Sequence, residues 1–216
     1  ALAFDPRFED GAAMKKGDII AIVSGPARSL LSGERVALNF MMHLSGIASY
    51  TAQFAKRISD TKARVTCTRK TLPGLRAFEK YAVRIGGGST HRYGLDDAIL
   101  IKDNHIAVAG GVAKAIRAGK AFAGHLVKVE CEVTSLEQLK EALSEKPDVI
   151  LLDNMSPELL EKAVKIAAGK VILEASGGIS FDTIKAVAET GVDYISTSKI
   201  TMSAPTLDVG LDVEIG

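Results

Sequence analysis

The chain has 216 residues, 47% hydrophobic and 25% charged, as in an ordinary globular protein of one or two domains with a sizeable core. Its 27 Lys and Arg nearly cancel 26 Asp and Glu, leaving a formal net charge of +1, so nothing global points to nucleic acid or an anionic membrane, and any basic site must be a local concentration. No apolar run is long enough to span a bilayer, and two cysteines are too few for a disulfide framework or a structural zinc site, which fits a reducing, cytoplasmic setting.

The opening ALAFDPRFEDGAAMKKGD carries early acids and no apolar core, so it does not read as a secretory leader. It also lacks a starting Met, as a fragment or a processed chain would. Residues 1–31 read as β-like, with DIIAIVSGPA (18–27) a strand closed by Gly25-Pro26. A helix start is expected at Ser32-Gly33-Glu34, with Ser32 as N-cap. That helix runs to about Arg57, with Val36, Phe40, Leu44, Ile47 and Ala48 on its apolar stripe. Arg35 lies off the stripe, where position alone reads as a solvated surface charge.

Arg64 to Cys67 is a short strand running into Thr68-Arg69-Lys70-Thr71. Leu72-Pro73-Gly74 breaks the chain, and a helix follows through Phe78 and Tyr81. Gly86-Gly87-Gly88 reads as a flexible loop able to approach a ligand. Ala98 to Ile101 is a strand ending at Lys102, His105 follows, and a helix spans Gly111 to Phe122. This span gathers Arg69, Lys70, His91, Arg92 and Lys102, a density of positive charge that calls for an anionic ligand.

From here the pattern repeats. VKVECE, DVILLD, KVILEAS and DYISTS recur about 22 residues apart, separated by helix-like segments, which implies parallel strands in a barrel or a doubly wound sheet. Glu132, Asp153, Ser176-Gly177-Gly178 and Thr197-Ser198-Lys199 fall at the C-terminal ends of these strands, as Arg69-Lys70 and Lys102 do for the earlier ones. In parallel α/β folds that edge carries the active site. Alternation places Glu130 and Glu132 on one, inward, face and Val129 and Cys131 on the other. The tail from Thr206 to Gly216 alternates Leu207, Val209, Leu211 and Val213 with polar residues and reads as an edge strand pairing with the N-terminal β region.

The chemistry follows from what converges. Arg forks suit carboxylates, and Gly-rich turns after strands suit phosphate. Glu132 and Asp153 could hold Mg²⁺ with substrate oxygens. A site for a phosphorylated sugar and a polyanionic partner results, and group transfer fits better than redox chemistry because no dinucleotide fingerprint is present. Taken singly, a strand-end acid is more often a cap or an ion-pair partner and SGG is often a plain turn. His43 and His125 stand apart from the cluster, and Cys67 and Cys131 read as packing residues. Convergence on one edge gives the functional reading its weight. Two alternatives stay open on these grounds: a Schiff-base aldolase using Lys70 or Lys102, and a non-catalytic polyanion-binding module.

CTRKTLPGLR (67–76), GGGSTHRYGL (86–95), ILIKDNH (99–105), VECEV, LLDNM, EASGGIS and SAPTLDVGLD, preceded by GERVALNFMMHLSGIAS, resemble the quinolinate phosphoribosyltransferases in order and spacing. The resemblance implies an α/β fold, an incomplete (β/α) barrel over 34–203. It also implies a small α/β sandwich domain built from both chain ends, 1–33 plus 204–216, whose beginning is absent here. It implies phosphoribosyl transfer from phosphoribosyl pyrophosphate to quinolinate with loss of CO₂, Mg²⁺ as cofactor, and a homodimer or multiple of dimers. A paralogue with another acceptor is the alternative within the fold. Residue by residue, the resemblance assigns Arg69, His91, Arg92 and Lys102 to the quinolinate dicarboxylate and Lys70 to the pyrophosphate and reacting carbon. It assigns Glu132 and Asp153 to the ribose hydroxyls and metal, and Ser176, Gly177 and Gly178 to the 5′-phosphate. Arg35 is the arginine offered to the neighbouring subunit's site. Ser198 and Met202 depart from glycine and histidine in many relatives. The Ser198 hydroxyl can still serve the phosphate, while a histidine's role at 202 is absent.

Overall fold

A computed structural model describes residues 1–214. β1 (Ala3–Pro6) and β2 (Ala21–Ser24) form an antiparallel pair. Directly after Gly25-Pro26 the chain enters α1 (Ala27–Arg57). The helix therefore starts five residues before Ser32, and the expected boundary at residue 33 falls inside it. Pro26 occupies the N-cap position with an extended backbone, while the Ser32 hydroxyl donates back to the Arg28 carbonyl at 2.7 Å, a bond made within a helix and not at its start.

The rest of the chain alternates strand and helix: β3 (Arg64–Thr66), α2 (Arg76–Ile85), β4 (Ile99–Ile101), α3 (Asp103–Ala109), α4 (Val112–Phe122), β5 (Val129–Val133), α5 (Leu136–Glu145), β6 (Val149–Asp153), α6 (Pro157–Ala167), β7 (Ile172–Ser176), α7 (Ile184–Glu189), β8 (Tyr194–Ser196) and α8 (Lys199–Met202). Helix α3, missing from the sequence reading, is ended by Gly110 in a left-handed conformation (φ 78°). The hydroxyls of Ser135 and Ser156 accept from the Gln138 and Leu159 N–H groups and cap α5 and α6.

The six strands β3-β8-β7-β6-β5-β4 form one wholly parallel sheet. β3 and β4 are its edges, and Ser89 bridges in parallel to Thr66 beside β3. The sheet curls as an incomplete barrel. Cys131, Ile150, Leu152, Ala175 and Ile195 are almost wholly buried and pack outward on Ile116, Leu139, Leu160 and Ile184 of the surrounding helices. The alternate residues, Glu130, Glu132 and Glu174 among them, line the interior.

Two local expectations change. The glycine trio is packed at two of its three positions, Gly87 being exposed: Gly86 closes α2, and a Cβ on Gly88 would meet Thr51 Cγ2 at 2.8 Å and Val83 Cγ1 at 2.9 Å. Glycine here lets α2 sit against α1. The tail forms no strand among the described residues. Its Leu207 N–H donates to the Met42 carbonyl at 3.1 Å, and Gly46 admits the Pro205 carbonyl, so this segment lies along α1. Ile215 and Gly216 lie outside the described residues.

Candidate active site

Because every strand of the sheet runs the same way, the residues at and after the strand ends share one edge. Arg69 and Lys70 follow β3, Lys102 follows β4, Glu132 sits near the end of β5, Asp153 and Ser176 end β6 and β7, and Ser198 follows β8. The loop after β3 is braced from behind. Arg76 donates to the Arg69 carbonyl (3.2 Å) and the Tyr93 carbonyl (2.9 Å), and the Thr201 hydroxyl donates to the Lys70 carbonyl at 2.8 Å.

Two arginines stand out. The Nε of Arg69 and the Nε of Arg92 are both buried with no hydrogen-bond partner among the described residues. Burial, and then the charge of nearby Arg69, push the Arg92 guanidinium below its usual range. Two guanidiniums close enough to repel form a seat for an anion with more than one oxygen.

Lys102 Nζ pairs with Glu132 Oε2 at 2.9 Å, the lysine half exposed and the acid buried. Asp153 accepts from Asn154 Nδ2 at 2.6 Å. Glu132 and Asp153 thus stand on neighbouring strands at the sheet edge, and their oxygens are the donor type that Mg²⁺ takes. The phosphate-type loop is fixed by its glycines. Gly177 has φ 97°, and a Cβ there would meet the Asn154 backbone N at 2.8 Å. The Thr197 hydroxyl donates to the Ile179 carbonyl at 2.8 Å and ties this loop to the one carrying Ser198.

His91 sits differently from the other cations. Its Nε2 lies 3.1 Å from Glu130 and 3.7 Å from Glu174, and its Nδ1 accepts from the Arg92 N–H at 2.8 Å. Those contacts assign the ring proton to Nε2. Burial opposes a charge on this ring, but the Glu130 hydrogen bond and the charges of Glu174 and Glu130 outweigh it and push His91 up. Burial, then the charge of Glu130, push the Glu174 carboxyl up to about 7, while His91 and Ser196 pull it down. The unfolded Glu174 ionises near 4.5, so between these values the folded chain holds the extra proton. This contribution to stability is therefore complete below pH 4.5 and is lost as pH rises through about 7. Glu174→Gln should match the parent in unfolding free energy at pH 4.5 and exceed it at pH 8, by on the order of 1 kcal/mol, read from denaturant midpoints at the two pH values. A midpoint difference equal at the two pH values would contradict this.

Arg35 lies apart from this constellation. Its side chain is 69% exposed on α1, with its guanidinium 3.6 Å from Glu34. His43 is structural, its Nε2 2.9 Å from the buried Glu79, and Cys67 and Cys131 are buried free thiols. Sequence reasoning missed the buried Lys80 and the role of Glu174. Glu174 carried a signal, since it shares the inward face of β7 with Ser176, two residues away.

Comparison with known proteins decides the family. The family model for the quinolinate phosphoribosyl transferase C-terminal domain matches residues 47–212, and the model for the N-terminal domain of the same enzymes matches residues 1–45. This chain belongs to the quinolinate phosphoribosyl transferase family. It is 45% identical over 207 residues to a probable nicotinate-nucleotide pyrophosphorylase [carboxylating] of Bacillus subtilis, covering 96% of this chain and 72% of that one. It is 49% identical to the Mycobacterium leprae nicotinate-nucleotide pyrophosphorylase [carboxylating], covering 96% and 74%. The crystal structure of NadC from Streptococcus pyogenes superposes with a TM-score of 0.92 at 47% identity, covering 96% of this chain and 73% of that one. No helix among the described residues is long and apolar enough to cross a membrane.

Proposed function

We propose that this chain transfers the phosphoribosyl group of phosphoribosyl pyrophosphate to quinolinate with decarboxylation, yielding nicotinate mononucleotide, pyrophosphate and CO₂ in NAD biosynthesis. The observation that carries this reading is the pair of neighbouring guanidiniums of Arg69 and Arg92, each with a buried Nε that has no partner among the described residues. A planar dicarboxylate supplies the oxygens they need. Arg69 and Arg92, with Lys102, neutralise the two carboxylates, so the ring nitrogen can approach the sugar carbon as pyrophosphate leaves. Lys70 faces the departing pyrophosphate, and the 176–178 loop with Ser198 receives the 5′-phosphate. A C–N bond forms and the C–O bond to pyrophosphate breaks. Once the nitrogen is quaternary, the bond to the adjacent carboxyl breaks, CO₂ departs, and its electron pair stays on the ring carbon until a proton replaces it. Fixed charges aimed at the changing charge supply most of the acceleration.

Glu132 and Asp153 are the residues that would hold Mg²⁺, and their carboxylate oxygens fit it; the ion, when bound, offsets charge on the pyrophosphate. The Lys102–Glu132 pair holds the acid at the strand end. A Schiff-base role suits neither lysine as placed, since Lys70 is exposed and Lys102 is ion-paired. The two buried free thiols suit a cytoplasmic setting.

The exposed Arg35 completes the seat of a second copy in a homodimer. An equimolar mixture of Arg35→Ala and Arg92→Ala chains, exchanged into mixed dimers, should then recover about one quarter of parental activity. Additive residual activity alone would contradict the shared site. The reaction itself is tested by CO₂ release from quinolinate. Release that requires quinolinate, phosphoribosyl pyrophosphate and Mg²⁺ together is expected. Borohydride trapping of a carbonyl substrate on Lys70 or Lys102, without such release, would replace this reading with the aldolase.

A further inference from the structure

Beneath the rim, on the same inward face, lies a second group of buried charges with no part in the steps above. Glu130 is two residues deeper than Glu132 on β5, and Glu174 two residues deeper than Ser176 on β7. Both reach the ring of His91, Glu130 by a 3.1 Å contact with Nε2. From the other side comes Lys80 of α2, which is fully buried. Its Nζ donates to the His91 carbonyl at 2.7 Å and to Cys67 Sγ at 3.2 Å. A lysine is seldom buried without a carboxylate partner, so its place needs a reason. His91 is thus gripped twice, by its ring from a strand and by its backbone from a helix. The next residue is Arg92, whose N–H donates to His91 Nδ1 and whose Nη1 donates to the Ala98 carbonyl at 3.2 Å.

A cation could also be imagined here, since His91, Glu130 and Glu174 each offer a ligand atom and these lie within 4.8 Å of one another. Two observations favour an internal clamp. Nε2 is already committed to Glu130. The cavity of about 520 Å³ that reaches the group is also lined by Arg64, Arg84 and Lys128, whose charges repel a cation.

We propose that Glu130 and Lys80 are positioning residues for dicarboxylate recognition: they hold His91, and through it the Arg92 guanidinium, in register with Arg69. The proposal rests on the quinolinate reading above and adds to it the part of the barrel that aims the arginines. Neither residue touches substrate. Both act by fixing a neighbour whose placement decides how well two forks meet two carboxylates.

The test uses Glu130→Ala, Glu130→Gln and Lys80→Met in the full chain, with KM measured separately for quinolinate and for phosphoribosyl pyrophosphate. Glu130→Ala leaves the buried Nε2–H unpaired and should raise the quinolinate KM about tenfold, with the other KM within about twofold. Glu130→Gln keeps an acceptor and should restore most of the loss. Lys80→Met keeps the length without the donor and should resemble Glu130→Ala. A merely structural role would raise both KM values together and would not respond to glutamine. A parallel rise in both, a glutamine variant no better than alanine, or an unchanged quinolinate KM in Lys80→Met would each overturn the clamp. If Glu130→Ala does not fold, the other two variants decide it. A parent chain that releases no CO₂ from quinolinate overturns the functional reading and the clamp together. An active parent with indifferent variants overturns the clamp alone.

Discussion

Arg92→Ala should raise the quinolinate KM by at least about 30-fold, corresponding to about 2–5 kcal/mol for losing one partner of a buried charged pair. The expectation comes from what surrounds the side chain. Arg92 Nη1 is spent on the Ala98 carbonyl, which sets the plane of the guanidinium, while Nε is left buried and unpartnered. Burial and the charge of Arg69 already push Arg92 below its usual range, so a dianion arriving at the pair relieves repulsion as well as filling a donor. Arg92→Lys should fall between parent and alanine, because an ammonium supplies charge without the fork. The KM for phosphoribosyl pyrophosphate should stay near the parental value in both variants. Steady-state kinetics with each substrate varied in turn checks this. A quinolinate KM unchanged in Arg92→Ala would remove the residue from its assigned place.

Gly177→Ala should be the most damaging small change in the phosphate-type loop. Residue 177 has φ 97°, which L side chains rarely adopt, and a Cβ would be driven against the Asn154 side chain and its backbone N at 2.8 Å. Strain and clash together should cost about 3 kcal/mol or more, or displace the loop. Asn154 is itself at φ 54°, so it has little freedom to yield, and its N–H is bound to the Ser176 carbonyl at 2.9 Å. Gly178 is the control. Its φ of 61° penalises alanine, but the space beside it is open, so Gly178→Ala should cost only about 1–2 kcal/mol. Denaturant midpoints and the KM for phosphoribosyl pyrophosphate report the two effects. Equal midpoints and equal KM values for the two alanine variants would sink the argument.

Much of this is legible in the amino-acid sequence. The repeat of apolar strands with polar residues at their ends dictates a parallel sheet with one functional edge, and alternation along Val129–Val133 puts Glu130 and Glu132 on one face, of which Glu130 lines the interior cavity. What escaped was set by contacts distant in sequence. Gly86 and Gly88 read as a loop because nothing local reveals α1 lying against them. The tail alternates like a strand, yet its partner is the outer surface of a helix at Met42 and Gly46. Ser32 carries the chemistry of an N-cap, but Gly25-Pro26 had already released the chain into helix. Lys80 lies in an ordinary-looking helix, and only its burial against His91 and Cys67 marks it. The rim was therefore readable by pattern, whereas the layer that aims it required the fold.

A crystal structure of this chain soaked with quinolinate tests the central claim most directly. The account predicts both carboxylates at the sheet edge, with oxygens on the Arg69 and Arg92 guanidiniums and the two buried Nε donors now paired. Quinolinate bound elsewhere, with both Nε groups still unpartnered, would contradict it.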